Sequence, residues 1–287
     1  MIVTKVIPSG YCKGVINAIN IAKKTKEEHP NENVYVLGMI VHNTYVTNML
    51  NKLGIITLDD TNNSKEELID KLNEGVLILT AHGTSDKFKQ KAISKGLQVV
   101  DAACSDVIKT KNIIIDYLNK GYDVIYFGIK NHPESAAILS LSDKIHLITS
   151  INEIKNLNIN NSKIVVTNQT TMSYLELENM INAVLNKYNT AIIEKEICNA
   201  TSSRQLAISN IKDADILYVV GDKKSNNTNK LVEIASKKIK RVYLINSKAD
   251  INISDLNNDM KVYVSAGAST PPELIDDVIN YLKNITF

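Results

Sequence analysis

The chain has 287 residues, a formal net charge of +2 at neutral pH, and 44% apolar against 22% charged residues. That balance can fill a buried core and excludes the low-hydropathy, high-charge composition of a disordered chain. There is no basic block, no run of about 18 apolar residues and no signal-peptide pattern, so the expectation is a cytoplasmic protein that partners neither nucleic acid nor a membrane.

Short apolar runs alternate with helical patterns from end to end, the signature of parallel α/β structure. A strand over Thr4–Ile7 leads into Cys12 and a helical stretch. Strands are then predicted at Val34–Met39, Ile55–Leu58, Val76–Thr80 and Leu97–Asp101, with helices such as Asn43–Lys52 and Lys65–Asn73 between them. After Cys104 come Asp123–Gly128, Lys144–Ile148, Lys163–Thr167 and Ala191–Glu194, ending at Cys198. The last stretch has Ile216–Val220, Arg241–Ile245 and Lys261–Ser265, then a closing helix over Pro271–Leu282. It lacks a fourth strand, which the N-terminal strand can supply. The predicted lobes are therefore 13–103, 104–197, and 198–287 completed by 1–12.

Cys12, Cys104 and Cys198 divide the chain at nearly equal intervals, and each follows a strand and opens a helix. A lone cysteine is commonly a small buried hydrophobe, but three at the same point of a repeat form a ligand set. An odd count without C-x-x-C argues against a disulfide framework. Ligands of open parallel sheets bind beyond the carboxyl ends of the strands. There the chain places His42, His82, His132 and Glu134, the Gln169-Thr170-Thr171 turn, Ser225-Asn226-Asn227 and Ser269. His29 and His146 read as structural. The Ser, Thr and Asn clusters fit helix caps and equally an oxyanion site at helix N-termini. Arg204 and Arg241 are the only arginines, so neutral donors and histidine would have to hold an anion. No nucleotide-binding glycine motif is present.

Three thiols fit either zinc completed by His or water, or an iron–sulfur cluster with one iron left open. Composition does not choose between them.

The motifs S-G-Y-C-K-G-V, V-H-N-x-Y-V, A-H-G, D-A-x-C, H-P-E, Q-T-T, I-C-x-A-T-x-x-R-Q, S-x-N-x-N and A-G-A-S-x-P occur in that order along the chain. Together they resemble the LytB/IspH family, the 4-hydroxy-3-methylbut-2-enyl diphosphate reductases of the non-mevalonate isoprenoid pathway. The resemblance implies three small α/β lobes with mainly parallel sheets, in pseudo-threefold arrangement around one central 4Fe–4S cluster. It implies two-electron reductive dehydroxylation of an allylic diphosphate to isopentenyl and dimethylallyl diphosphates, with ferredoxin or flavodoxin as electron donor. On this resemblance Cys12, Cys104 and Cys198 ligate iron. His42, His82, Ser225, Asn226, Asn227 and Ser269 hold the diphosphate, Thr170 contacts the substrate hydroxyl, and His132 and Glu134 deliver protons. A carboxyl beside an anionic substrate and a thiolate-bound cluster is expected to favour its protonated form.

The chain departs from the family pattern at Asn226, Ser105, Ser135-Ala136-Ala137 and Ser203, none of which removes a ligand or the acid. The competing readings are another open-iron enzyme acting on a small anion, and a non-catalytic redox or diphosphate sensor. A sensor needs the cysteines but not the His, Glu, Thr and Ser set.

Overall fold

The computed structural model describes all residues from Met1 to Phe287. In chain order the elements are β1 (Ile2–Lys5), α1 (Lys13–Glu28), β2 (Val34–Leu37), α2 (Thr44–Lys52), β3 (Ile55–Leu58), α3 (Lys65–Asp70), β4 (Val76–Leu79), α4 (Asp86–Ser94) and β5 (Gln98–Asp101). They continue with α5 (Ser105–Asn119), β6 (Asp123–Phe127), α6 (Pro133–Leu139), β7 (Ile145–Ile148), α7 (Ile151–Asn156), β8 (Ile164–Asn168), α8 (Tyr174–Lys187) and β9 (Ile192–Ile193). The last are α9 (Asn199–Ser209), β10 (Ile216–Val220), α10 (Asn226–Ser236), β11 (Val242–Ile245), β12 (Lys261–Ala266) and α11 (Pro272–Lys283).

The strands form three four-stranded sheets, ordered β3-β2-β4-β5, β7-β6-β8-β9 and β11-β10-β12-β1. Every pairing is parallel. Each sheet thus has its own second, first, third and fourth strands in that spatial order, and the fourth strand of the last sheet is the N-terminal β1. This is the predicted fold class of three small parallel α/β lobes. The strand order reverses between the first and third strands of each sheet, which is where such sheets bind ligands.

Covering helices explain the sequence pattern. The middle strands β4, β8 and β10 are buried along their whole length, as parallel strands covered on both faces must be. In the last sheet Ile216, Tyr218 and Val220 pack towards α11 through Ile275, Val278 and Leu282. Leu217 and Val219 face the other way, into a cluster with Leu231 and Ile234 of α10 and Ile208 of α9. Burying each such aliphatic side chain stabilises the fold by about 1.5–3 kcal/mol before chain entropy is counted.

The first strands end alike. Gly38, Gly128 and Gly221 each follow one, and their amides donate to Leu58, Ile148 and Ile245 at 3.0, 3.2 and 2.9 Å, the last residues of the neighbouring second strands. A side chain on Gly128 would meet Ser135 Oγ at 2.6 Å and the Tyr126 ring at 2.8 Å, so close packing requires glycine there.

The N-terminal strand lies two residues earlier than predicted. Val6 still donates to Val264 at 2.8 Å, but Ile7 is exposed and Pro8 has no N–H to continue the ladder. β9 is shorter than its predicted span, although the Glu194 amide adds a further bond to Val166 at 2.8 Å. α2 begins at Thr44 because Asn43 Oδ1 accepts from the amides of Tyr45 and Val46.

The chain forms two compact units. One comprises Met1–Ile16, His42–Val46 and Asn199–Phe287 and holds the β11-β10-β12-β1 sheet. The other comprises Asn17–Val41 and Thr47–Cys198 and holds the remaining two sheets.

Candidate active site

The cysteines occupy equivalent places in their sheets. The amide of each donates to the carbonyl two residues beyond the third strand: Cys12 to Ala268 at 3.0 Å, Cys104 to Ala81 at 2.9 Å and Cys198 to Thr170 at 3.1 Å. Each is partly buried, and no disulfide joins them. Each also immediately precedes a helix: α1, α5 and α9 respectively. The Val15 amide donates to Cys12 Sγ at 3.4 Å. Soft sulfur donors presented in this way suit iron–sulfur or zinc chemistry, so the donor set fits the group that the motifs imply.

In the unit with two sheets, Glu134 lies in the first turn of α6 and is completely buried. Its Oε1 accepts from the Thr170 amide at 2.8 Å and its Oε2 from the Thr170 hydroxyl at 2.9 Å. Burial pushes this carboxyl up to about 7, against the lowering effect of the Thr170 bonds, while the Asp106 charge adds a smaller upward push. Within the protein itself desolvation is the largest cause, one that the sequence does not display.

His132 caps α6 through Nδ1, which accepts from the Glu134 amide at 3.2 Å. An accepting Nδ1 leaves the ring proton of the neutral form on Nε2. Across Pro133 the Glu134 amide thus meets the His132 imidazole, at the i, i+2 spacing from which a proton relay is expected. The His82 and His132 rings meet edge to face with centroids 5.5 Å apart.

Gln169 holds this region together: its Oε1 accepts from the Ile129 amide at 3.0 Å and the Ser135 hydroxyl at 3.2 Å, and its Nε2 donates to Thr171 at 2.9 Å. Its supporting role, and that of Ser135, escaped the sequence reading. The Q-T-T motif was the available signal for Gln169.

In the other unit, Ser225 caps α10, its hydroxyl accepting from the Thr228 amide at 3.3 Å. Asn227, in the same turn, is 5% exposed, yet neither polar atom of its side chain has a partner. A buried amide that makes no internal bond is expensive unless a ligand satisfies it. Asn226 beside it is half-buried. The helix can sit this close to the sheet only because Gly267 has no side chain, since a Cβ there would lie 1.9 Å from Thr228 Oγ1. Ser269 donates to the His42 carbonyl at 3.1 Å, tying the V-H-N segment to the A-G-A-S turn. Arg204 donates to the carbonyls of Ala200 and Gly10, so its guanidinium holds backbone, including the loop before Cys12. Around Ser225, Asn227, Ser269 and His42 the neutral donors in this unit are a helix N-terminus, hydroxyls, an amide and a histidine.

The predicted residues therefore fall into two groups. Cys104, Cys198, His82, His132, Glu134 and Thr170 lie in the unit with two sheets, and Cys12, His42, Ser225, Asn226, Asn227 and Ser269 in the other.

Three repeated parallel sheets, each leading into a cysteine, define an α/β protein built of like units, with a fully buried carboxyl in one compact unit and an unsatisfied buried amide at a helix end in the other. The chain belongs to the LytB protein family, whose model matches residues 3–283. It is 41% identical over 287 residues to the 4-hydroxy-3-methylbut-2-enyl diphosphate reductase of Geobacillus kaustophilus, covering 99% of this chain and 90% of that protein. The Bacillus cereus reductase of the same name is 42% identical over 290 residues, with the same coverage. Among solved structures, the E-1-hydroxy-2-methyl-but-2-enyl-4-diphosphate reductase of Plasmodium falciparum superposes with a TM-score of 0.90 at 29% identity, covering all of this chain and 89% of that one. A second, described as the terminal enzyme of the non-mevalonate pathway, gives a TM-score of 0.70 at 26% identity, covering 99% and 100%.

Proposed function

We infer that this chain is a 4-hydroxy-3-methylbut-2-enyl diphosphate reductase, an iron–sulfur oxidoreductase of isoprenoid biosynthesis. The observation that carries the mechanism is the poise of Glu134, a fully buried carboxyl held near 7 and bound through both oxygens to Thr170. The reaction adds two electrons and two protons to the allylic diphosphate, and the hydroxyl leaves as water. Glu134 is the proposed acid that protonates the departing hydroxyl, with Thr170 orienting it and His132 completing the proton route. His42, His82, Ser225, Asn226, Asn227 and Ser269 are the proposed holders of the diphosphate. Asn227 is supported by its unsatisfied buried amide.

Cys12, Cys104 and Cys198 are proposed to hold one 4Fe–4S cluster, the fourth iron lacking a protein thiolate. Such a cluster supplies electrons and a Lewis-acidic iron for the hydroxyl oxygen. We assign the electrons to a ferredoxin or flavodoxin, and the protein to the cytoplasm, where the ligating thiols stay reduced. No helix is long and apolar enough to cross a membrane. We also propose the three sheets as three lobes, 13–103, 104–197, and 198–287 with 1–12, each closing on its cysteine.

The test is anaerobic reconstitution with iron and sulfide, followed by assay with the allylic diphosphate and a low-potential reductant. Isopentenyl and dimethylallyl diphosphates are the expected products. Zinc in place of iron, or neither product, overturns the reading.

A further inference from the structure

Asp222 immediately follows Gly221, the glycine that ends the first strand of its sheet. At the same place in the other two sheets stand Met39 and Ile129, both apolar. Nothing in the repeated fold therefore calls for a carboxylate here. The carboxylate makes three bonds: Oδ2 accepts from the Thr44 amide at 2.9 Å and the Thr44 hydroxyl at 2.6 Å, and Oδ1 from the Lys224 amide at 2.9 Å.

Thr44 opens α2, so Asp222 supplies an external cap to that helix, with its negative charge at the favourable end of the dipole. Partial burial alone would raise this carboxyl. The bonds from Thr44 and Lys224 outweigh that and hold it below the ordinary aspartate value, so it is ionised at neutral pH. His42 lies two residues before Thr44, and Ser225 three residues after Asp222. The segment His42–Val46 belongs to the same compact unit as Asp222. Asp222 and Thr44 also form part of the wall of a cavity of about 450 Å³ shared by Asn43, Tyr45, Lys224 and Asn246.

We propose that Asp222 is a positioning residue for the diphosphate: by latching Thr44 it holds the His42 segment in register with the Ser225–Asn227 helix end, so that both present their donors together. This rests on the diphosphate-reductase reading above. The latch carries a full negative charge close to an anion site, so its benefit is preorganisation and not attraction. A bare charge at that place would weaken anion binding.

The sign of the effect therefore tests the idea. Asp222→Ala, Asp222→Asn, Thr44→Val and the double variant Asp222→Ala/Thr44→Val are compared as cluster-loaded enzymes. Steady-state kinetics, calorimetric titration with inorganic diphosphate, and amide hydrogen exchange across His42–Val46 are measured for each. Asp222→Ala is expected to raise KM about tenfold with kcat within about twofold, the pattern of lost uniform binding. It should weaken diphosphate binding in parallel and speed exchange at the Thr44 amide by at least about tenfold. Asp222→Asn, which keeps an oxygen for Thr44 but not for Lys224, should fall between it and the parent. The double variant should be little worse than Asp222→Ala, because both changes break one latch.

A lower KM in Asp222→Ala, an unchanged KM in an active enzyme, or unchanged exchange overturns the proposal. If the parent protein does not turn over the allylic diphosphate, the reductase reading fails instead. Exchange and inorganic diphosphate binding then judge the latch alone: faster exchange with weaker binding supports it, and the absence of either overturns it.

Discussion

Each carboxylate oxygen of Glu134 is bound by a different group of Thr170, Oε1 by the amide at 2.8 Å and Oε2 by the hydroxyl at 2.9 Å. The carbonyl of the same threonine accepts the amide of Cys198 at 3.1 Å. One residue therefore fixes the acid and the backbone of a cysteine together. These two donors, with the Tyr126 hydroxyl that reaches Oε1 at 3.5 Å, lower its pKa, yet complete burial still leaves Glu134 at about 7. Its readiness to give a proton near neutrality is the difference between these opposed effects.

Thr170→Val removes the hydroxyl bond and keeps the amide bond. The ionised carboxylate loses a donor, so the proton is held more tightly and the pKa rises. A charge-assisted hydrogen bond contributes about 1.5–3 kcal/mol, and 1.36 kcal/mol corresponds to one pH unit. On this assignment the rate needs the acid form and is expected to fall as pH rises through about 7 in the parent. In the variant that limb should move up by roughly one pH unit or more. A pH–kcat profile measures this, and a limb that stays in place or moves down counts against the assignment.

Glu134→Gln removes the proton and keeps the shape, since a glutamine oxygen can still accept from Thr170. We expect a loss of roughly 10²–10⁴-fold in kcat with iron content unchanged. The same variant reports on stability. The folded carboxyl, at about 7 against an ordinary 4.5, binds more protons than the unfolded chain between those values. Stability from this group is therefore full below about pH 4.5 and is lost as pH rises to about 7, by up to about 3 kcal/mol. Denaturant unfolding at several pH values should show this decline in the parent and not in the glutamine variant. Near-normal turnover by Glu134→Gln would remove the residue from the mechanism.

Much of this was legible because strands of a parallel sheet read as apolar runs and their carboxyl ends collect chemistry. That rule singles out His42, His82 and Thr170 as candidates, and even spacing singles out the cysteines. The N-terminal strand could be assigned to the last sheet by counting, although Pro8 shifts it towards the terminus. Pairings between distant residues were not legible. Thr170 meets Glu134 across 36 residues and Thr44 meets Asp222 across 178, and no local periodicity encodes either contact. The dominant cause of the Glu134 shift was hidden for the same reason. Burial is a property of the packed lobe, whereas neighbouring charge is what a motif displays. The grouping of His42–Val46 with the C-terminal sheet likewise depends on bonds to Asp222 and Ser269 that only the folded chain reveals.

Asn227 presents a case where function and stability oppose each other. Its buried amide has no partner within the protein, so removing it sacrifices no internal hydrogen bond. Leaving a polar group buried and unsatisfied costs about 1–3 kcal/mol. Asn227→Ala should therefore leave the midpoint of thermal unfolding, measured without substrate, unchanged or slightly higher. With substrate the same variant should show KM raised about tenfold or more, equivalent to about 1.4 kcal/mol of lost binding. A destabilised protein with normal KM would make Asn227 a structural residue.

Cys104 allows iron binding to be separated from folding. It stands at the N-cap of α5 with extended backbone angles, φ −64° and ψ 143°, and its side chain makes no capping bond. Serine is among the best residues at this position, and a capping hydroxyl contributes typically about 1 kcal/mol. Cys104→Ser should therefore fold at least as well as the parent, with α5 intact by circular dichroism. Serine is a hard oxygen donor where an iron–sulfur cluster selects soft thiolate, so reconstitution should leave most of the iron and visible absorbance unrecovered, with activity lost in proportion. Had the cysteine been only a small buried side chain, the change would alter stability and leave iron content untouched. A Cys104→Ser protein with its full iron complement and normal turnover would exclude Cys104 as a ligand.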